Sequence, residues 1–268
     1  MNIRLLFVSA IVFIFASACK KSSDDKTPTG NTELLTQIVY TNSGGTTKTT
    51  TLKYDSQNRL IEYLDNSSAP SDNKISYDSN NRITDYYETS TYFLQGSQIA
   101  NTNNQHTTYN YNTANTIVAN ITYYTNANSP ASTTETFTLN AQGQVIRNDF
   151  GTNNYAIYTY DGAGNVLTES DYSNGTKLRY AFSYGYDQQK SSYSSQKGNI
   201  YTLVLPARIN NPVMQTMVNA STTPSVTTTT TSTYLYDANG YPTKETRVTT
   251  TPGSAAITDV YTFSYITI

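Results

Sequence analysis

The sequence is poor in the residues that most catalytic, redox and metal sites use. Among 268 residues there is one cysteine, Cys19, one histidine, His106, and no tryptophan. A single cysteine cannot form an internal disulfide, and a single histidine cannot supply a zinc site alone. As a catalytic base, His106 would also need a nucleophile and an orienting acid nearby. We therefore interpret His106, in the polar stretch NTNNQHTTY, as a surface-loop residue.

Charged residues are also scarce, and their signs nearly balance. They make up 13% of the chain, with a net charge of −2, and no basic patch or glycine-rich phosphate loop indicates nucleic-acid or nucleotide binding. Glycoside hydrolysis needs two carboxylates at a defined separation, but no such pair stands out. The sequence predicts a protein that is not an enzyme and uses no cofactor or metal. The acids outside the turns are scattered along the predicted strands and their exits, which is typical of solvated faces: Glu62, Glu88, Glu135, Glu169 and Glu245.

Residues 1–18 have the composition of a secretory signal peptide. A positive start at Arg4 precedes an apolar run and then small residues before Cys19, and the run is too short for an ordinary membrane-spanning helix. The string ASAC resembles the lipobox of bacterial lipoproteins, although Ala16 stands where leucine is commoner. The resemblance implies that Cys19 carries lipid in the mature protein. Lipidation would also remove the one free thiol of an exported chain.

Residues 19–33 are predicted to be a flexible tether, because their charges and small polar residues offer nothing to bury. Their basic-then-acidic stretch at 21–25 resembles the patch that follows the lipidated cysteine in surface-exported lipoproteins, and a plain solvated linker remains the alternative. The sequence thus predicts a signal peptide at 1–18, a tether at 19–33 and one β domain at 34–268. The expected location is the bacterial outer membrane, with surface exposure left open.

Within the β domain the chain repeats a hairpin signal, Tyr-x-Tyr-Asp-x-x-Gly/Asn-x-apolar. In its clearest copy, YTYDGAGNV at 158–166, the aspartate can accept backbone hydrogen bonds, and the glycine can adopt the left-handed conformation that closes a short loop. Asparagine is the next-best residue at that position. The predicted structural turns therefore comprise five pairs: Asp55 with Asn58, Asp78 with Asn81, Asn140 with Gly143, Asp161 with Gly164, and Asp237 with Gly240.

Segments rich in threonine, tyrosine, valine and isoleucine separate these turns, and most show the alternation of half-buried strands. Apart from a doubtful short piece at 213–218, no segment keeps a helical period. The predicted fold is all-β, an antiparallel meander of β-hairpins curled into a barrel-like or half-barrel sheet. Its core would consist largely of tyrosine rings. The polar stretch 191–197 and the threonine-rich stretch 222–230 are predicted to be mobile, with an edge strand as the alternative for the second.

The repeated YD-x-x-G/N element resembles the tyrosine-aspartate (RHS/YD) repeat of secreted bacterial proteins. Combined with the lipobox and with the stretches NNPVMQ at 210–215 and YDANGYPTK at 236–244, it resembles a family of bacterial lipoproteins of unknown function with a porin-like β fold. The resemblance implies a barrel-like antiparallel meander and provides no catalytic residues.

Three functional hypotheses follow. The first is a non-catalytic, lipid-anchored cell-envelope protein with a structural or binding role. Its partners would be the membrane and either another envelope protein or a glycan. The second is a glycan-binding module that stacks sugar rings on a tyrosine-lined sheet face. The third, an integral outer-membrane pore, is disfavoured because strands rich in Thr, Asn and Ser offer no continuous lipid-facing apolar band. Exposure of the tyrosines distinguishes the first hypothesis from the second.

Overall fold

In the computed structural model the chain forms a closed antiparallel β-barrel. The structure describes residues 32–66, 70–93, 100–124, 130–196 and 208–268. Within them, sixteen strands follow one another around the barrel in sequence order, and the last pairs with the first. The predicted antiparallel hairpin meander is confirmed, and the sheet closes. The strands are β1 (Glu33–Thr41), β2 (Thr47–Tyr54), β3 (Leu60–Asp65), β4 (Ser71–Tyr77), β5 (Ile83–Phe93), β6 (Ala100–Asn110), β7 (Thr116–Tyr124), β8 (Ala131–Leu139), β9 (Val145–Asp149), β10 (Tyr155–Tyr160), β11 (Val166–Ser173), β12 (Lys177–Tyr186), β13 (Pro212–Asn219), β14 (Val226–Tyr236), β15 (Pro242–Thr250) and β16 (Ile257–Thr267).

The predicted signal peptide, Cys19 and most of the predicted tether lie outside the described residues. The first strand begins at Glu33, one residue before the predicted start of the β domain.

Tyrosine and aliphatic side chains at alternate positions fill the barrel interior. In β10, Ala156 and Tyr158 are buried, whereas Ile157 between them is 38% exposed, because successive strand residues point to opposite faces. Burying one valine, leucine or isoleucine side chain contributes about 1.5–3 kcal/mol to the free energy of unfolding. One interior cluster spans β7 to β12 and includes Ile117, Phe137, Val145, Tyr158, Val166 and Tyr184. A second spans β1 to β5 and consists of Leu35, Leu52, Leu60, Ile75, Ile83 and Tyr86.

The outward positions of the described strands are largely polar. In β14, Thr231 and Thr233 are exposed on either side of the buried Ser232. Ion pairs also lie on this outer face, among them Lys53 with Glu62 at 2.5 Å and Arg147 with Asp149 at 2.5 Å. The outer surface therefore consists largely of threonine hydroxyls and paired charges, with apolar side chains such as Leu167, Met214 and Ile257 exposed among them.

One prediction about the region before the fifth predicted turn is corrected. Most of the threonine run forms β14, as its strand alternative has it, and not a mobile linker. The stretch 213–218, whose helical period was doubtful, forms part of β13. Each strand pairs with a neighbour on both sides, for example Met217 with Thr228. β-Branched threonines fit a strand well, and this tertiary pairing outweighs the low complexity of the sequence.

His106 also differs from its predicted place in a loop. It lies in β6 opposite Tyr87 of β5, and the two rings stack with centroids 3.9 Å apart. Its Nε2 atom is 3.0 Å from Asp85 Oδ1. The polar stretch is a strand because β5 and β7 satisfy its backbone groups on both sides.

Candidate functional site

The five predicted turns share one hydrogen-bonding scheme. At the first of them, Asp55 Oδ1 accepts the backbone N–H groups of Gln57 and Arg59 at 2.9 and 3.0 Å, and Asn58 donates its N–H to the Asp55 carbonyl at 3.0 Å. Equivalent bonds occur at Asp78, Asn140, Asp161 and Asp237. The fourth residue of every turn is left-handed, with φ values of 63° at Asn58, 62° at Asn81, 79° at Gly143, 93° at Gly164 and 81° at Gly240.

Hydrogen bonds within the turns also lower the pKa of three of the turn acids, Asp55, Asp78 and Asp161. The backbone N–H of Arg82 is the main cause that holds the pKa of Asp78 below its ordinary value, and the Arg82 guanidinium adds to it. At Asp55 burial acts to raise the pKa, but hydrogen bonds from the backbone and side chain of Arg59, whose Nε donates to Asp55 Oδ2 at 2.7 Å, contribute to a pKa below its ordinary value. These acids are engaged by the residues of their own turns, and they close hairpins instead of converging on one pocket.

A tyrosine near each of several turns ties its hairpin to the preceding one. Tyr160, for example, donates its hydroxyl to the carbonyl of Val145 at 2.6 Å. We call these bonds tyrosine latches. The sequence signal was present in the repeat, but the acceptors are one hairpin away and were not foreseen. Further latches join Tyr54 to Leu35, Tyr77 to Leu60, Tyr111 to Ile83, Tyr186 to Val166 and Tyr265 to Pro242, at 2.6 to 2.8 Å.

The latch hydroxyls stay protonated at neutral pH. Burial raises the pKa of Tyr111, Tyr160 and Tyr186 to about 12. A neutral hydroxyl is the form that can donate to a carbonyl, so burial preserves the latches over the whole physiological range.

Residues 191–196, in the connection between β12 and β13, pack inside the barrel. We call them the lumen segment. Ser191 and Gln196 are only 6% and 8% exposed. Gln196 Nε2 donates to the Tyr54 hydroxyl at 2.6 Å, and Tyr193 packs against the β1–β5 cluster. The described part of the predicted loop 191–197 is a loop, and Ser191, Tyr193 and Gln196 pack it into the lumen, whereas Ser194 is exposed. Its mobility stays a prediction.

Buried asparagines hold the two ends of this connection. The Asn210 backbone N–H donates to Asn165 Oδ1 at 2.8 Å, and Asn165 Nδ2 donates to Asn210 Oδ1 at 3.0 Å. Asn211 Nδ2 donates to Asp187 Oδ2 at 3.1 Å and to the Lys190 carbonyl at 2.9 Å. The NNPVMQ stretch therefore anchors the lumen segment to the turn end of the barrel.

A cavity of about 430 Å³ lies beside the lumen segment. A second cavity of about 260 Å³ shares Ile38, Lys48, Thr50 and Tyr193 with it. The larger cavity is both aromatic and polar, which suits an amphipathic ligand. Its aromatic walls are Tyr40, Tyr193, Tyr234, Tyr261 and Phe263, and its charged groups are Lys48, Arg208, Glu245 and Arg247.

A buried ion pair forms one wall of this cavity. Glu245 is 4% exposed and accepts hydrogen bonds from Ser232 Oγ at 2.7 Å and from Arg247 Nε at 2.9 Å. Arg247 also donates to the Tyr261 hydroxyl at 3.1 Å, and its guanidinium lies 4.5 Å from the centre of that ring. Burial acts to lower the Arg247 pKa, but the charge and hydrogen bond of Glu245, together with Tyr261 and Tyr234, raise the pKa above its ordinary value.

Glu169 likewise faces the interior, where Glu169 Oε2 accepts the Tyr184 hydroxyl at 3.1 Å. Burial, and then the charge of Asp171, raises its pKa above the ordinary value. The interpretation of the non-turn acids as solvated was therefore wrong for Glu169 and Glu245. Strand alternation places both on the inner face, and the sequence could have shown this only with the correct register.

One polar atom of the cavity wall is left unsatisfied among the described residues. Ser191 Oγ is buried and has no hydrogen-bond partner there. An unpaired buried hydroxyl costs about 1–3 kcal/mol. A bound polar molecule that supplied a partner would relieve that cost.

Most tyrosines of the repeat belong to the interior, as the core interpretation requires. Tyr158, Tyr184 and Tyr241 are buried, whereas Tyr87 and Tyr124 are 46% and 44% exposed. No continuous outward row of rings is evident among the described strands. The cavity tyrosines are the group placed to meet a ligand.

The described residues contain no group of three or more His, Cys, Asp or Glu side chains placed to hold a metal ion. No helix formed by them is long and apolar enough to cross a membrane.

No protein-family model matches this chain. A search among curated proteins finds no match either. Among solved structures, the chain is similar to the crystal structure of a porin-like protein from Bacteroides uniformis ATCC 8492, with 14% sequence identity and a TM-score of 0.42. The match covers 88% of this chain and 99% of that one. A likeness at this level transfers no function.

Proposed function

We propose that this protein is a non-catalytic, lipid-anchored protein of the bacterial cell envelope with a structural or binding role. The observation that supports the proposal most is the distribution of side chains across the barrel wall. Tyrosines and aliphatic residues fill the interior, whereas Thr231, Thr233 and pairs such as Lys53 with Glu62 face outward. A barrel that spans a bilayer needs an outward apolar band about 25 Å tall. A polar outer surface is suited to water.

A barrel that stands in water needs a separate attachment to stay at the membrane. Cys19, preceded by the signal-like residues 1–18, supplies it in this proposal. Acyl chains contribute about 0.8 kcal/mol per buried methylene, so two or more of them hold a protein to a bilayer without a spanning segment.

Replacing Cys19 with alanine tests the anchor. In cells fed a labelled fatty acid, the native protein should take up label and sediment with membranes, whereas Cys19→Ala should be unlabelled and soluble. Ser22→Ala, in the predicted tether, is the matched control and should behave like the native protein. Retention of the unlabelled Cys19→Ala protein in washed membranes would show that the barrel itself binds the bilayer and would overturn the anchoring proposal.

Glycan binding in the lumen is the second candidate function. The cavity falls within the range of about 300–1,000 Å³ that small-molecule sites occupy. Tyr40 and Tyr261 present rings with centroids 5.0 Å apart, beside the donors of Arg247 and the Ser191 hydroxyl, which has no partner among the described residues. Aromatic faces combined with polar groups are what a sugar ring requires.

A glycan array followed by calorimetry on any hit tests this candidate. Tyr40→Leu should weaken binding at least tenfold, because it removes a ring from the cavity. Tyr172→Leu, which removes a ring from the outer face of β11, should leave the affinity for the glycan unchanged. A blank array, or equal weakening by both variants, would count against the lumen as a glycan site.

A further inference from the structure

The predicted tether leaves the barrel at the end that carries the five turns. The Thr32 carbonyl accepts the backbone N–H of Ile268 at 3.0 Å. Glu33 Oε1 accepts Asn239 Nδ2 at 2.6 Å, and Asn239 lies within the turn that begins at Asp237. The first described residues are thus fixed to the turn end, and the segment leading back to Cys19 starts there.

The tether is short compared with the barrel. Twelve residues, 20–31, separate Cys19 from Thr32. A flexible chain of that length has a root-mean-square span of about 20 Å. The eleven-residue strand β16 is about 36 Å long at about 3.3 Å per residue, and a strand tilt of about 35–45° makes the wall about 25–30 Å tall. A lipidated Cys19 would therefore keep the turn end close to the bilayer and the opposite end away from it.

Exposed apolar side chains also lie toward the turn end of the barrel. Ile266, paired with Leu34, is 50% exposed, and Ile268 is also 50% exposed. Leu235, just before the last turn, is 63% exposed and pairs with Lys244 of β15. We call Leu235, Ile266 and Ile268 the tether-side patch.

We propose that the turn end of the barrel rests on the membrane, with the tether-side patch in contact with lipid. The occupant of this surface is the boundary between headgroups and acyl chains, where apolar side chains bury part of their area and lysines meet anionic headgroups. Lys244, beside Leu235, is placed for the second role. The proposal rests on the proposed lipid anchor for attachment, and it adds a fixed orientation of the barrel.

The absence of tryptophan from the chain allows a direct test. Ile266→Trp and Ile257→Trp place a single reporter at opposite ends of β16, and both native isoleucines are 50% exposed. The mature chain, beginning at Cys19, would be coupled through that cysteine to a maleimide lipid in vesicles that contain brominated phospholipid. Attachment then does not depend on whether cells lipidate Cys19, so failure of the anchor and failure of the orientation are separable.

Tryptophan at 266 should be quenched at least threefold more strongly than tryptophan at 257, because bromine quenches only at close approach. Leu235→Trp should behave like Ile266→Trp. It provides a second reporter at the turn end in case the substitution at 266 perturbs its own surroundings. Circular dichroism would verify that each variant keeps the native sheet. Equal quenching at the two ends, stronger quenching at 257, or no quenching of any variant in vesicle-bound protein would overturn the proposal.

Discussion

The tyrosine latches lead to the most specific stability prediction. Tyr160→Phe removes one hydroxyl and leaves the ring, so packing in the β7–β12 cluster is kept while the bond to the Val145 carbonyl is lost. Val145 is 4% exposed, so water does not easily replace the lost donor. A typical internal hydrogen bond contributes about 1 kcal/mol, and an unsatisfied buried acceptor costs about 1–3 kcal/mol. We expect Tyr160→Phe to lower the free energy of unfolding by about 1–2 kcal/mol.

Urea unfolding followed by circular dichroism measures this change as a lower midpoint at constant slope. Tyr87→Phe is the control, since Tyr87 is 46% exposed and stacks on His106 through its ring alone. It should shift the free energy by less than about 0.5 kcal/mol. A double variant with Tyr77→Phe should be nearly additive, because the two latches lie on separate hairpins. If Tyr160→Phe proves as neutral as Tyr87→Phe, the latches are incidental to stability.

Two further changes probe the turns and the interior charge. Gly164→Ala should lower the free energy of unfolding by about 1–2 kcal/mol, because alanine is strained at the left-handed φ of 93°. Gly162→Ala in the same turn should be neutral or stabilising, since an added methyl there meets no atom within 4 Å. Equal urea midpoints for the two variants would contradict this account of the turn. Glu169→Gln should be more stable than the native protein at pH 7, with the difference vanishing below about pH 4. The sign follows from the raised folded-state pKa of Glu169, caused by burial and then by Asp171: the protonated form is favoured in the folded barrel, and stability is lost as pH rises through that pKa. Unfolding curves of both proteins from pH 4 to pH 8 would measure this difference in the free energy of unfolding. A constant difference across that range would show that ionisation of Glu169 does not destabilise the folded barrel.

Interactions that span a few residues were accessible from the sequence. Asp161 bonds the backbone of Ala163 and Asn165, two and four residues ahead, so the turn can be recognised without knowing the rest of the fold. The contents of the lumen are different in kind. Gln196 meets Tyr54 across 142 positions of sequence, and no local pattern reports such a partner.

The sequence by itself determined the strand class, the hairpin corners and the placement of tyrosines on an inner face, because each depends on backbone preference and on a period of two. Only the tertiary structure decided that the sheet closes, that β1 pairs with β16, and that the lumen segment, residues 191–196, packs inside the barrel. Closure depends on strand number and register summed over the whole chain, as in Thr36 Oγ1 donating to the Ser264 carbonyl 228 positions away. The same long-range pairing makes the polar stretch around His106 a strand. It also buries Glu245, because the residues that cover a side chain come from distant parts of the sequence.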